Sequence, residues 1–142
     1  MRKNVITTTV AEKLKILMLD DEKFLLFVYQ NKFEKAGFDV LAFHTADSAL
    51  SVIRSGYVPH IILTDITIPD SKSGYEFLEI LQRERLCRHT LKIALTNEGQ
   101  DAEIARMGEL GADGHILKAK YTPSELVTEV TTMFEVYRSK RR

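Results

Sequence analysis

The chain has 142 residues, with 20 basic and 20 acidic side chains and a formal net charge of zero. A chain of this length can bury about two-thirds of its unfolded surface in one domain without disulfides or structural metals. Its balanced charge argues against a general nucleic-acid-binding surface, and no apolar stretch approaches the length of a membrane span or secretory signal. With a single cysteine, Cys87, there is no internal disulfide, and we expect a cytoplasmic domain.

Short apolar runs alternate five times with longer segments of helical spacing, which indicates a five-fold βα repeat. The capping pattern Ser-x-x-Glu at Ser73 and the Thr-Pro-x-Glu pattern at Thr122 mark the starts of two of the helices. The runs, all rich in Ile, Leu, Val or Phe, lie near residues 15–19, 39–43, 60–64, 91–95 and 114–117.

Three of these runs, 15–19, 60–64 and 91–95, are nearly continuous in apolar residues, as is typical of strands covered by helices on both faces. The run at 39–43 begins with Asp39, which favours an edge position. Right-handed crossovers then predict an α/β fold with a doubly wound, five-stranded parallel sheet, and the flavodoxin-like order 2-1-3-4-5 is the leading choice.

Acidic side chains follow two runs that this order makes neighbours. Asp20 and Asp21 end the first run, and Asp65 ends the third. Because the carboxyl ends of parallel strands meet at one edge of the sheet, we expect the three carboxylates to share a crevice. Their mutual repulsion requires a cation or a proton, and oxygen ligands of this kind suit Mg²⁺.

Thr96 and Lys118 end the fourth and fifth runs and would join the carboxylates. A carboxylate beside Mg²⁺ can attack a phosphoryl group, with the metal and a lysine neutralising the phosphoryl oxygens. Three carboxylates against Mg²⁺ and Lys118 sum to zero charge, and phosphorylation of Asp65 would add about one negative charge that the Thr96 hydroxyl could meet. Such a change can bias a two-state loop or helix.

Each of these residues has a simpler explanation when it is taken alone. Asp20 or Asp21 could cap the first helix, Asp65 could be a turn residue, Thr96 an ordinary strand residue and Lys118 a surface lysine. The joint pattern favours the phosphoryl-transfer interpretation.

The pattern resembles the receiver domain of two-component response regulators, which are CheY-like, over roughly residues 13–138. In this division 1–12 form an N-terminal arm and 139–142 a basic tail. The segments that carry the resemblance are Ile16-Leu-Met-Leu-Asp-Asp-Glu22, Ile61-Ile-Leu-Thr-Asp-Ile-Thr-Ile-Pro69 with Gly74, Ile93-Ala-Leu-Thr96, and Gly111-Ala-Asp-Gly-His-Ile-Leu-Lys118.

The resemblance implies that Asp65 accepts phosphate from a histidine kinase or a phosphotransfer protein. It also implies that Asp21, Asp65 and the backbone carbonyl of Thr67 bind Mg²⁺ directly, that Asp20 helps largely through water, and that Lys118 pairs with the acidic site and the phosphate. Only self-phosphorylation and self-dephosphorylation would be expected, so the chain would be a signalling phosphoacceptor and not an enzyme.

The resemblance also supplies switch and tuning positions. Thr96 would move toward the phosphate on activation, and Thr67 and Glu98 would tune the lifetime of the phosphate. Asn97, next to Thr96, and His115, in the fifth run, are the other switch or tuning positions. Too few residues follow the last helix for an output domain, so output would come through partner binding. The resemblance implies that the partner binds the fourth helix, fifth strand and fifth helix. No nucleic-acid or membrane contact is expected, and the oligomeric state is open.

Three features depart from the family pattern. Ala119 follows Lys118 where the family usually has a cis proline, and a non-proline cis bond costs about 3 kcal/mol, so a trans bond is expected. The segment from Asp70 to Ser73 is one residue longer than usual, and His115 replaces an aromatic residue that is often Tyr or Phe.

Two other functions remain open from the sequence. In a haloacid-dehalogenase-like phosphatase, Asp65-Ile-Thr67 would be the nucleophile motif, but that motif normally follows the first strand and accompanies a larger chain. A pseudo-receiver would keep the fold as a binding module without using the chemistry.

Overall fold

The structure of the protein is a computed structural model that describes residues 12–66, 73–97 and 99–141. The predictions for Thr67 and Glu98, for most of the lengthened loop, and for the N-terminal arm up to residue 11 therefore fall outside the described residues. No described helix is long and apolar enough to cross a membrane.

Strands and helices alternate along the described chain, in agreement with the βα repeat, and a short 3₁₀ turn at Lys118–Lys120 follows the last strand. In chain order the elements are β1 (Lys15–Leu19), α1 (Lys23–Lys35), β2 (Asp39–Phe43), α2 (Ala46–Arg54), β3 (Ile61–Asp65), α3 (Gly74–Arg83), β4 (Leu91–Thr96), α4 (Asp101–Glu109), β5 (Gly114–Leu117) and α5 (Pro123–Lys140).

The strands form one parallel sheet in the order β2-β1-β3-β4-β5, which confirms the predicted topology. Every residue of β3 and β4 is buried, whereas β2 lies at an edge, as its initial Asp39 indicated. The structure thus makes β1 and β3 neighbours, with Leu19 paired to Thr64 at their carboxyl ends.

Alternate residues of the central strands fill two cores, because successive side chains in a strand point to opposite faces. Ile16 and Met18 pack with residues of α1 and α5, while Leu17 and Leu19 pack with residues of α2 and α3. Burial on both faces explains why the sequence of β1 is apolar throughout.

Both predicted capping boxes are present. Ser73 Oγ accepts from the Glu76 N–H at 3.2 Å, and the Ser73 N–H donates to Glu76 Oε1 at 3.3 Å. Thr122 and Glu125 make the same pair of bonds at the start of α5. These contacts satisfy N–H groups that would otherwise lack helical partners.

Gly74 is the first residue of α3, and it lies directly against the end of β3. Its N–H donates to the Ile66 carbonyl at 2.9 Å. A Cβ atom at this position would lie 2.0 Å from the Asp65 carbonyl oxygen and 2.7 Å from Ile66 Cα, so any side chain would collide with backbone. The absence of a side chain at Gly74 therefore lets α3 begin beside Asp65.

Replacing Gly74 by alanine should displace α3 from the strand end, because neither clashing atom belongs to a flexible side chain. We expect Gly74→Ala to lower the free energy of unfolding by about 1–3 kcal/mol, the usual cost of overpacking, in urea denaturation. Gly108→Ala is the matched control, since a Cβ on that residue of α4 meets no atom within 4 Å and should be neutral or slightly stabilising. If both substitutions changed the free energy of unfolding equally, the contact of Gly74 with the backbone of β3 would not be what excludes a side chain there.

Candidate functional site

The three aspartates predicted from the strand ends lie together. Asp20 follows β1, Asp21 comes next, and Asp65 is the last residue of β3. One carboxylate oxygen from each lies within 4.8 Å of the others. Asp20 is 1% exposed and Asp65 4% exposed, while Asp21 is half-buried, so the cluster opens to solvent on the side of Asp21.

Lys118 is the cation of this cluster. Its Nζ lies 3.0 Å from Asp20 Oδ2 and 3.1 Å from Asp65 Oδ2, and its side chain is only 7% exposed. Burial favours the neutral amine, but the charges of Asp20 and Asp65 outweigh burial and raise the pKa of Lys118 above its ordinary value. Lys118 is therefore a permanent positive charge at neutral pH.

Ala119, which stands where the family usually has proline, does not prevent the Lys118 side chain from reaching the site. No peptide bond within the described residues is cis, so the bond between Lys118 and Ala119 is trans, as expected from the cost of a cis bond without proline. Lys118 begins the 3₁₀ turn after β5, and its side chain still reaches both aspartates.

Glu22 is a fourth carboxylate that the sequence analysis did not include. Its Oε2 lies 3.1 Å from Lys118 Nζ, and its side chain is 56% exposed. The charge balance predicted from three carboxylates is therefore incomplete, because Glu22 adds a fourth. Within the described residues Lys118 is the only cation paired with Asp20, Asp65 or Glu22.

The donor set fits a divalent cation. Asp20 Oδ1 accepts the Glu22 N–H at 3.0 Å, but Oδ2 is buried and has no well-directed hydrogen-bond donor among the described residues, although Lys118 Nζ is close. A buried carboxylate oxygen without a donor is costly unless a cation meets it. Asp20, Asp21 and Asp65 supply the hard oxygen ligands that such an ion requires.

Helix capping does not account for the paired aspartates. The residue at the N-cap of α1 is Glu22, whose side chain makes no capping hydrogen bond. Among the described backbone N–H groups, the Asp20 side chain accepts only that of Glu22, which precedes the first turn of the helix. The two aspartates are thus placed toward the strand ends and not toward the first turn of α1.

Thr96 ends β4, where it pairs with Leu117 and is buried. Its register places it one residue beyond Leu95, the partner of Asp65 on the neighbouring strand. The Thr96 hydroxyl donates to Glu103 Oε1 at 2.6 Å, a contact that no sequence spacing indicated. Glu103 lies on α4, seven positions along the chain.

The two remaining predicted switch residues in the described chain are exposed. Asn97 directly follows β4, and His115 lies on β5. His115 borders a surface depression together with Ile104 and Met107 of α4. Neither residue belongs to the acidic cluster.

Comparison with known proteins agrees with this geometry. The family model of the response regulator receiver domain matches residues 16–131. The phosphate regulon transcriptional regulatory protein PhoB of Klebsiella pneumoniae is 31% identical over 116 residues, which cover 82% of this chain and 49% of PhoB.

Two solved structures show the same fold. A CheY-like receiver domain protein from Methanospirillum hungatei superposes with a TM-score of 0.78 at 25% identity, covering 91% of this chain and 99% of that one. The BeF₃-activated DrrB receiver domain gives a TM-score of 0.72 at 28% identity, covering 87% and 99%.

The protein belongs to the response regulator receiver domain family, with a CheY-like fold. The chain spans about half the length of the curated relatives it matches.

Removing the Lys118 charge should leave the buried aspartates without their cation. We expect Lys118→Met to lower the free energy of unfolding by about 3–5 kcal/mol in urea at pH 7 without divalent metal, the usual cost of breaking a buried ion pair. Because the pKa of Lys118 is raised, its contribution should be complete below the ordinary lysine pKa of 10.5 and be lost as pH rises above that value.

Lys120→Met is the control, since it removes the same charge from an exposed position in the same turn. Equal destabilisation by the two substitutions would contradict a special role of Lys118 in holding the carboxylates together.

Proposed function

We propose that this receiver domain is a phosphoacceptor in which Asp65 takes a phosphoryl group from a histidine kinase or a phosphotransfer protein. The observation that supports this most directly is the position of the Asp65 carboxylate. Its Oδ2 lies 3.1 Å from Nζ of Lys118, the only described lysine that contacts the cluster. One of its oxygens also lies within 4.8 Å of carboxylate oxygens of Asp20 and Asp21, which could hold a cation.

Asp20 and Asp21 would hold Mg²⁺ together with Asp65, and the carbonyl of Thr67 is the proposed backbone ligand. When bound, Mg²⁺ supplies positive charge to the phosphoryl oxygens as the transfer occurs. The described carboxylates outnumber the lysine, which is the condition under which a divalent cation is favoured.

In the transfer, an Asp65 carboxylate oxygen attacks the phosphorus of a phosphohistidine. A new oxygen–phosphorus bond forms, and the nitrogen–phosphorus bond breaks with its electron pair returning to the imidazole. Lys118 holds Asp65 Oδ2 at 3.1 Å, which orients the carboxylate and places a cation beside the incoming phosphoryl group. The expected result is one phosphoryl group per molecule, later lost by hydrolysis, and not continued turnover of a substrate.

A relative supports this assignment. The DrrB receiver domain, 28% identical to this chain, is described as activated by BeF₃. Beryllofluoride resembles a phosphoryl group bound to a carboxylate, so an acidic site that is equivalent in this chain should respond to the same reagent.

Asp65→Asn tests the proposal, because the amide removes the nucleophilic oxygen while keeping the size of the side chain. We expect the wild type, with Mg²⁺ and acetyl phosphate, to gain the mass of one phosphoryl group, and Asp65→Asn to gain none. Chelation of the metal should also abolish the gain in the wild type.

Asp39→Asn is the matched control, since this exposed aspartate begins β2 at the opposite end of the sheet. It should be phosphorylated like the wild type. A wild type that stays unmodified would favour a pseudo-receiver, and release of many phosphates per molecule from p-nitrophenyl phosphate would favour a phosphatase.

The protein that donates the phosphoryl group must approach the mouth of the cluster, and α1 begins there. Phe24 and Phe27 of α1 are 79% and 62% exposed, and Phe24 is two residues from Glu22, which contacts Lys118. Exposed aromatic side chains of this kind are favoured in protein interfaces. We infer that the donor protein contacts this pair, while downstream partners bind α4, β5 and α5, including His115.

Phe24→Ser should distinguish contact with the donor protein from an effect on the acidic site itself. We expect it to slow phosphorylation by a histidine kinase by about tenfold or more, the usual effect of removing an aromatic interface residue. Phosphorylation by acetyl phosphate, which needs no protein contact, should be unchanged. Val58→Ser, which changes another exposed apolar residue far from α1, is the control. Equal loss with both phosphate donors would mean that Phe24 acts on the site itself.

A further inference from the structure

A carboxylate of α4 holds the hydroxyl of Thr96. Thr96 Oγ1 donates to Glu103 Oε1 at 2.6 Å, and the Gly99 N–H donates to the same oxygen at 3.3 Å. Hydrogen bonds to a carboxylate are shorter and stronger than those between neutral groups. The end of β4 and the loop after it are therefore both attached to one side chain of α4.

The start of α3 lies close to this point. Burial and the negative charge of the nearby Glu103 raise the pKa of Tyr75. Tyr75 lies in the first turn of α3, and the guanidinium of Arg106 packs 4.0 Å from the centre of its ring. The contact of Arg106 with Tyr75 thus joins α4 to the start of α3.

A threonine hydroxyl carries a single proton and can donate one strong hydrogen bond at a time. In the conformation described here that proton is given to Glu103. A phosphoryl group on Asp65 would bring new acceptor oxygens to the neighbouring strand end, one register position from Thr96. If Thr96 donates to the phosphoryl group, it must first leave Glu103.

We propose that Glu103 is a positioning residue which holds the Thr96 hydroxyl away from Asp65 until a phosphoryl group competes for its proton. This inference rests on the proposed phosphorylation of Asp65. The exchange removes a donor from Glu103, so the carboxylate must find another donor or water, and its hydrogen bond from the Gly99 N–H changes with it. Phosphorylation is then communicated to α4 through one hydrogen bond.

The test measures beryllofluoride affinity in the presence of Mg²⁺, followed by amide NMR shifts. Glu103→Leu abolishes the resting hydrogen bond, so the site no longer competes for the hydroxyl, and beryllofluoride should bind about tenfold more tightly. Glu103→Gln keeps an acceptor oxygen without the charge and should give a smaller gain. Glu109→Leu removes the same charge from an exposed position of α4 and should bind like the wild type.

Repeating Glu103→Leu in the Thr96→Ala variant distinguishes the positioning of the Thr96 hydroxyl from a general structural effect of Glu103. In Thr96→Ala the hydroxyl is absent, so Glu103→Leu should no longer change beryllofluoride affinity, although each single substitution does. The NMR spectra of all variants report whether they are folded, and Glu103→Gln provides the same comparison with the least change in shape.

Equal gains from Glu103→Leu in the presence and absence of the Thr96 hydroxyl would overturn the proposal, as would wild-type affinity in Glu103→Leu. Failure of beryllofluoride to bind the wild type would instead reject Asp65 as the phosphoacceptor, and the exchange with it. The two failures are therefore distinguishable.

Discussion

Like-charge repulsion at one edge of the sheet is the constraint on which the site depends. Asp20 and Asp65 are buried, and their carboxylate oxygens lie within 4.8 Å of each other. Two unit charges at such a distance repel by on the order of 3 kcal/mol at an effective dielectric constant of ~20. Lys118 offsets this repulsion in the resting protein by contacting both carboxylates. A strongly repulsive cluster held by one lysine is suited to bind a further cation and, with it, an anionic phosphoryl group.

The sheet makes this concentration of charge possible. The order β2-β1-β3-β4-β5 puts the ends of β1 and β3 side by side, so that aspartates separated by 45 positions in the chain meet. β4 and β5 follow on the other side of β3, where β4 ends at Thr96 and the turn after β5 begins at Lys118. Gly74 completes the arrangement, since only a residue without a side chain lets α3 start against the backbone of Asp65.

The strand order and the aspartate cluster could be predicted because their signals are local. Each aspartate directly follows or ends an apolar run, and the topology of parallel βα units is restricted to few choices. Lys118 could be placed at a strand end for the same reason. Its pairing with the acidic site was also expected from the family resemblance. Its contact with Glu22 was not, because that contact depends on the path of the 3₁₀ turn and on the conformation of two long side chains.

Glu22 and Glu103 lacked such signals. Glu22 lies in the loop after β1, and its contact with Lys118 joins residues 96 positions apart through side chains alone. Glu103 lies in the first turn of α4, where an acidic residue is ordinarily explained by the helix dipole. Only the packing of α4 beside the end of β4 shows that its carboxylate binds Thr96. Tertiary contacts between polar side chains leave no periodic pattern in a sequence.

The number of protons on each donor determines which contacts a phosphoryl group must displace. The Lys118 ammonium donates hydrogen bonds to Asp65 and Glu22, and it lies 3.0 Å from Asp20 Oδ2 without a well-directed bond. A new phosphoryl oxygen would compete with these carboxylates for its three N–H groups. Glu22 is the partner that loses least, because its side chain is already 56% exposed and water can replace the lysine. The Thr96 hydroxyl has one proton, which it donates to Glu103 of α4, and Glu103 is less exposed than Glu22. Breaking the hydrogen bond between Thr96 and Glu103 therefore costs more free energy than breaking the contact between Lys118 and Glu22. The Glu103 carboxylate on α4 must then be rearranged to find another donor. If Asp65 is phosphorylated as proposed, this asymmetry favours α4, rather than α1, as the element whose position changes with the acidic site.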